Sequence, residues 1–240
     1  FESDDGREET ELYFAARYAL DDLNELAFGL EYLDREGYGT DGSRTDAVLR
    51  YTRSLGDDDE IYAFGQASLA TDGLPDNNRF GVGGTVGLGE DWALSGEVSD
   101  GDLGEAARAR LSYDPTPDRS IYFGYERDPA RSFDGFGSVT TPARRSRVVA
   151  GGRRQDNGRV ALFGENSYDL FGQQRSLLTT YGVEYEATDF TAFSVGLEYG
   201  SLTDPNTDDF DRRGISFGVR HDDGAGLSAL GVFEWREDDG

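Results

Sequence analysis

The sequence predicts an all-β fold: an antiparallel, up-and-down transmembrane β-barrel with about 14 strands visible in 240 residues, complete or as part of a larger barrel. Three observations predict it. Apolar and polar residues alternate with period two almost from end to end, the pattern of strands with two unlike faces. The candidate strands run about 8 to 12 residues, beyond the ~5–6 of soluble sheets and close to the ~9–11 a tilted strand needs to cross a bilayer. Their connections alternate between short turns and longer loops, as in outer-membrane barrels.

The first strand, 10–20, begins among helix-favouring acids, but Leu12, Phe14, Ala16, Tyr18 and Leu20 are spaced by two. The second, 25–34, carries the row Leu26, Phe28, Leu30 and Tyr32. Strands at 45–55 and 60–71 place Arg50 and Gln66 on a polar face, with Tyr51 and Tyr62 assigned to aromatic strand ends. The strand 79–89 carries Phe80, Val82, Val86 and Leu88, with Gly84 among them; 92–99 opens on Trp92. Strands 105–113 and 119–127 follow, the latter with Ile121, Phe123 and Tyr125. Then come 145–154, 159–166 and 175–186, the last with Tyr181, Val183 and Tyr185. The set closes with 190–202 (Phe193, Val195, Leu197, Tyr199), 213–221 (Ile215, Phe217, Val219) and 226–236 (Leu227, Phe233, Trp235).

Short connections fall at 21–24, 56–59, 89–91, 114–118, 155–158, 187–189 and 221–225. Longer ones lie between them at 35–44, 72–78, 128–144, 167–174 and 203–212, while 100–104 is short where a long loop is due. With short turns periplasmic, as in outer-membrane barrels, both chain ends are expected on the extracellular side. The expectation is therefore an even-numbered slice, residues 1–240 forming one barrel domain or a barrel fragment. Phe1 at the start and Gly240 at the end fit a piece of a longer protein.

Alternation alone does not say which face is wet. In a soluble sandwich the apolar rows would be core; in a membrane barrel they face lipid and the polar rows face the lumen. On the barrel reading the pore lining is Arg17, Glu31, Arg50, Glu97, Arg108, Arg110, Glu126, Arg153, Glu165, Glu184, Glu198, Arg220 and Glu234, paired as ion ladders. The lipid face or its aromatic girdles hold Phe28, Tyr32, Trp92, Phe123, Tyr185, Phe193, Tyr199, Phe217, Phe233 and Trp235.

Composition excludes several classes. No cysteine is present, so there is neither a disulfide framework nor a thiolate site. The formal charge of -25 repels phosphate, so nucleic acid is not an expected partner. All the basic residues are arginine, and with the acid surplus this fits a high-GC, salt-adapted, Gram-negative source. The single histidine, His221, sits in a turn, and no G-x-S-x-G elbow accompanies it, so no enzyme is expected. No cofactor is expected; the nearest approach to a Ca²⁺ loop is the acidic runs Asp4-Asp5, Asp57-Asp58-Asp59-Glu60 and Asp204/Asn206/Asp208/Asp209. The glycines of 81–87 lack the Lys and helix of a phosphate loop and are better read as close side-chain packing or sheet coiling.

The segments "RRSRVVAGGRR" (144–154), "DNGRVALFGENSY" (156–168), "TTYGVEYEATDFTAFSVGLEYGSL" (179–202), "DFDRRGISFGVRHD" (209–222) and "ALGVFEWREDD" (229–239), with the earlier stretch 94–128, resemble the C-terminal barrel region of long bacterial outer-membrane proteins with repeat domains. These are loosely called TonB-dependent-receptor-like or outer-membrane-protein-A-like. The resemblance covers roughly 80–240 and rests on hairpin patterns. It implies an outer-membrane location, a bilayer partner, further strands or surface domains of the same or a partner chain, and an anchor or pore function. Two other functions stay open: a stand-alone cation-preferring porin, and a soluble secreted β-sandwich for adhesion or carbohydrate binding.

Overall fold

The computed structural model describes residues 7–37, 41–56, 59–127, 146–156, 158–169, 175–203 and 210–239. They form fourteen strands: β1 (Arg7–Asp21), β2 (Asn24–Glu36), β3 (Gly42–Ser54), β4 (Glu60–Asp72), β5 (Arg79–Gly87), β6 (Trp92–Gly101), β7 (Ala106–Thr116), β8 (Arg119–Arg127), β9 (Ser146–Asp156), β10 (Val160–Asp169), β11 (Arg175–Thr188), β12 (Thr191–Thr203), β13 (Phe210–Asp222) and β14 (Leu227–Asp239). Each pairs antiparallel with its sequence neighbours, and β1 pairs with β14 to close a barrel. Closure gives both edges of every strand a hydrogen-bonding partner, which removes the exposed edges of an open sheet. No helix among the described residues is long and apolar enough to cross a membrane, which has no bearing on crossing by strands.

The strands sit where alternation predicts them, and most extend a few residues further. β7 runs through Pro115 to Thr116, with a register shift against β8 between Tyr113 and Thr116 that accommodates the missing N–H. Short turns lie at one end of the barrel; the connections at the other end include 37–41, 73–78 and 102–105, and β1 enters and β14 leaves there.

The β-sandwich alternative is overturned. The described residues form one closed sheet, with no second layer among them for the apolar rows to pack on. Those rows point away from the barrel: Phe80 is 67% exposed, Ile121 61% and Phe193 49%. Tyr18, Tyr51, Trp92, Tyr113 and Tyr185 lie toward the turn ends of their strands, and Tyr32, Tyr125, Tyr168, Tyr199 and Trp235 toward the opposite ends. Trp92 and Tyr113 touch across the β6–β7 seam at 4.6 Å between ring centroids.

One aromatic assignment needs correcting. Tyr62 is buried, with Glu60, Phe64 and Gln66 on the inner face of β4. Gln66, two turns of the pleat away, carries the same parity and already marks that face as internal. Tyr62 and Phe64 join Ala15, Val48 and Tyr13 in a small apolar cluster inside the barrel. Their rings lie flat across β5, Tyr62 over Gly83 and Phe64 over Gly81, where a Cβ would overlap the ring. This accounts for Gly81 and Gly83 of the β5 glycine run, which form a bed for aromatic rings.

Candidate lumen site

The lumen wall follows a simple rule of parity. Every even-numbered strand presents an acid or amide inward, at mid-strand in all but β8, where it is next to the last residue: Glu31, Gln66, Glu97, Glu126, Glu165, Glu198 and Glu234. Glu97, Arg108 and Glu126 stand opposite one another in register, as do Glu165, Thr180 and Glu198. Elsewhere the position steps along with strand tilt; Glu198 faces Gly214, and Glu234 faces Ser216 two residues on. The result is an acidic belt around the interior. Glu31, Gln66, Glu97, Glu165 and Glu198 are all buried, covered by neighbouring side chains of the inner wall.

Odd-numbered strands supply most of the arginines, above and below the belt. Toward the turn end lie Arg17 on β1, Arg50 on β3, Arg153 on β9 and Arg220 on β13, while on β7 Arg108 stands in register with the belt and Arg110 one inward position beyond it. Toward the loop end lie Arg44, Arg79, Arg147 and Arg212, joined by Arg35 and Arg236 from even strands. Among the described residues, arginine–carboxylate contacts cross the β1–β2, β1–β14, β3–β4, β6–β7, β7–β8, β8–β9 and β13–β14 seams, and others reach over a strand. Arg153 and Arg220 share Glu184 at 2.7 and 3.1 Å; Arg147 reaches Glu126 at 2.7 Å; Arg108 reaches Glu97 at 3.3 Å. Arg236 is the densest node: it contacts Glu234 at 2.5 Å, Glu9 at 2.7 Å, Glu198 at 3.5 Å and Glu11 at 3.6 Å. Arg35 pairs with Glu9 from the other side, and Arg212 holds Asp238 through two bonds of 2.7 Å.

A four-residue arrangement occurs twice. Arg50 lies over the ring of Tyr62 at 3.5 Å; the ring crosses Gly83; its hydroxyl donates to Glu97 at 2.7 Å. Four strands on, Arg110 lies over Tyr122 at 4.3 Å; that ring crosses Gly151; its hydroxyl donates to Glu165 at 2.5 Å. The sequence carries the same echo in GGTVGLGEDWALSGE (83–97) and GGRRQDNGRVALFGE (151–165). Each unit ties four consecutive strands on the inner face, and the glycine lets the ring pass close to the wall.

Every residue predicted to line the interior lies on the inner face. Arg17, Arg50, Arg108, Arg110 and Glu126 line a cavity of about 410 Å³ at the turn end, with Glu25, Glu60, Tyr62 and the turn residues Asp21 and Asp22. Glu31, Glu97, Glu165, Glu198 and Glu234 belong to the belt, while Arg153, Glu184 and Arg220 form their own triad. Phe28, Tyr32, Trp92, Phe123, Tyr185, Phe193, Tyr199, Phe217 and Phe233 are exposed on the outer face, and Trp235 shares that face half-buried. The reading of the sequence missed Arg236, Glu9, Glu11, Arg147 and the inward tyrosines. Parity was the available signal: Arg236 is two residues from Glu234, and Glu9 and Glu11 have the parity of Arg17.

His221 is exposed and its Nδ1 lies 3.0 Å from the Thr191 hydroxyl. Asp4, Asp5, Asp57, Asp58 and the 204–209 run lie outside the described residues; among the described residues no group of His, Asp or Glu is arranged to hold a metal. In the turns, backbone N–H groups hold two exposed carboxylates below their ordinary range. Asp21 accepts from Leu23, helped by the Asn24 amide, and Asp223 accepts from Ala225 and Leu227.

No family model and no curated protein matches the chain. Solved structures do. A bacterial polysaccharide outer membrane secretin superimposes with a TM-score of 0.50 at 8% identity, over 96% of this chain and 97% of that one. OmpT of Vibrio cholerae, in a loop L8 deletion form, gives 0.41 at 13% identity over 98% and 100%. The Pseudomonas putida toluene transporter TodX gives 0.36 at 9% identity over 98% and 89%. The first of these likenesses is to the closed-barrel fold of outer-membrane proteins and goes no further; the repeat-domain barrels are not singled out.

Proposed function

We propose that this chain spans a bacterial outer membrane as the anchor of a larger surface-associated protein. The observation that carries the reading is the outer wall. Exposed aliphatic and aromatic side chains ring the barrel while the charged ones turn inward, and only a lipid surround makes that arrangement favourable. Aromatics toward both strand ends would sit at the two interfaces. The short turns face the periplasm, and β1 and β14 open on the outer side, next to the longer loops. Surface domains of this or a partner chain would be held there, in keeping with the resemblance to repeat-domain barrels. The burial of the belt carboxylates, away from a water-filled path, favours an anchor over an open porin.

A second reading, a cation-preferring pore, is favoured by the belt itself: were it to part, the narrowest ring would be made of carboxylates. Neither reading contains a catalytic step. Folding into detergent micelles, with heat-modifiable gel mobility and flotation with lipid vesicles, tests the membrane assignment; recovery as a water-soluble monomer defeats it. Planar-bilayer recording then separates the two readings. An anchor shows no steady conductance, and a pore shows steady cation-selective current.

A further inference from the structure

The turn-end cavity carries a feature that neither anchoring nor conduction uses. Its lining holds four arginines and five carboxylates: four of the carboxylates lie toward the mouth beside Arg17 and Arg50, and the fifth, Glu126, lies deep beside Arg108 and Arg110. Glu60 opens β4 at the turn and Glu25 is the second residue of β2, whereas Arg108 and Arg110 stand six or more residues inside β7 from its end at Thr116. Arg110 is the least satisfied of the deep group. Among the described residues its guanidinium donates no hydrogen bond; its contacts are the Tyr122 ring at 4.3 Å and Glu126 at 3.6 Å. Glu126 is held more closely by Arg147, at 2.7 Å. A planar fork fixed on an aromatic face, with its donors unspent and a ligand-sized cavity before it, is suited to a carboxylate.

We propose that this cavity binds small zwitterions of the amino-acid or dipeptide type. The carboxylate sits on Arg110 and the ammonium group faces Glu60 and Glu25 at the mouth. A bare anion is the poorer fit, since the lining carries one more acid than arginine and its field gives an anion no net attraction. A bare cation would leave Arg110 unsatisfied.

The test is equilibrium dialysis of the folded barrel with labelled glycylglycine, its N-acetyl derivative and its ethyl ester. Saturable binding of glycylglycine, with each charge-blocked form about tenfold weaker, is expected from the loss of one charge-assisted contact. Arg110→Gln should abolish the preference over the ester, and Glu60→Gln the preference over the N-acetyl form. Arg220→Gln, which lies outside the cavity, should change neither. No saturable binding, equal binding of all three probes, or an unchanged preference in Arg110→Gln would overturn the proposal. Heat-modifiable mobility of the same samples reports folding separately, so failure here leaves the membrane reading standing.

Discussion

Arg236 has no exposed surface, and four carboxylates converge on it. A buried ion cluster of this kind adds little stability over an apolar equivalent, but removing its one shared cation leaves charges stranded. Arg236→Met should therefore cost about 3–5 kcal/mol of stability, read from urea unfolding of the lipid-folded barrel by gel mobility. Adding Glu234→Gln should restore part of the loss. A cost within error of zero would show that the carboxylates already share protons or solvent. Glycine plays the complementary part at this scale. Gly83 and Gly151 matter for the side chain they lack, since each is crossed by a tyrosine from the preceding strand.

The hairpin is the natural unit of this barrel. Each tight turn launches an even strand bearing an inward acid or amide, central in all but β8, and each odd strand except β11 carries an inward arginine. Turn chemistry starts the register. Asp223 accepts N–H bonds from Ala225 at 2.7 Å and Leu227 at 3.0 Å, which fixes the β13–β14 turn. Its carboxyl is held below the ordinary range by these bonds, with His221 adding to the effect. A depressed folded-state value means a stabilising contribution that is complete above the unfolded value and is lost as pH falls through the folded one. The β13–β14 turn should then fray at acid pH, seen as faster amide exchange at Leu227, and Asp223→Asn should flatten that dependence. Equal pH profiles for the two proteins would refute the assignment.

At the scale of the whole molecule, the claim is a solvent inversion: hydrocarbon outside, charge within. Its signature is depth dependence. Phe217→Arg, at mid-strand on the outer face, should destabilise the bilayer-folded barrel by about 2–4 kcal/mol, and Tyr18→Arg, near a strand end, by about 0–1. Equal penalties at both positions would mean that the outer wall does not sense a bilayer.

Strand number, strand order and the two faces were legible in the sequence because pleat periodicity is local: each residue's side follows from its neighbour's. The inward set from Arg17 to Glu234 was readable on that basis. Tyr62 was misplaced where aromatic character was weighed over parity, although Gln66 on the same strand indicated the right side. What only the tertiary structure decided was which carboxylate meets which arginine, that β1 closes on β14, and that the belt carboxylates are buried while a cavity opens at the turn end. These depend on stagger between strands and on how far long side chains reach across a lumen, and neither quantity is written in the alternation of a single strand.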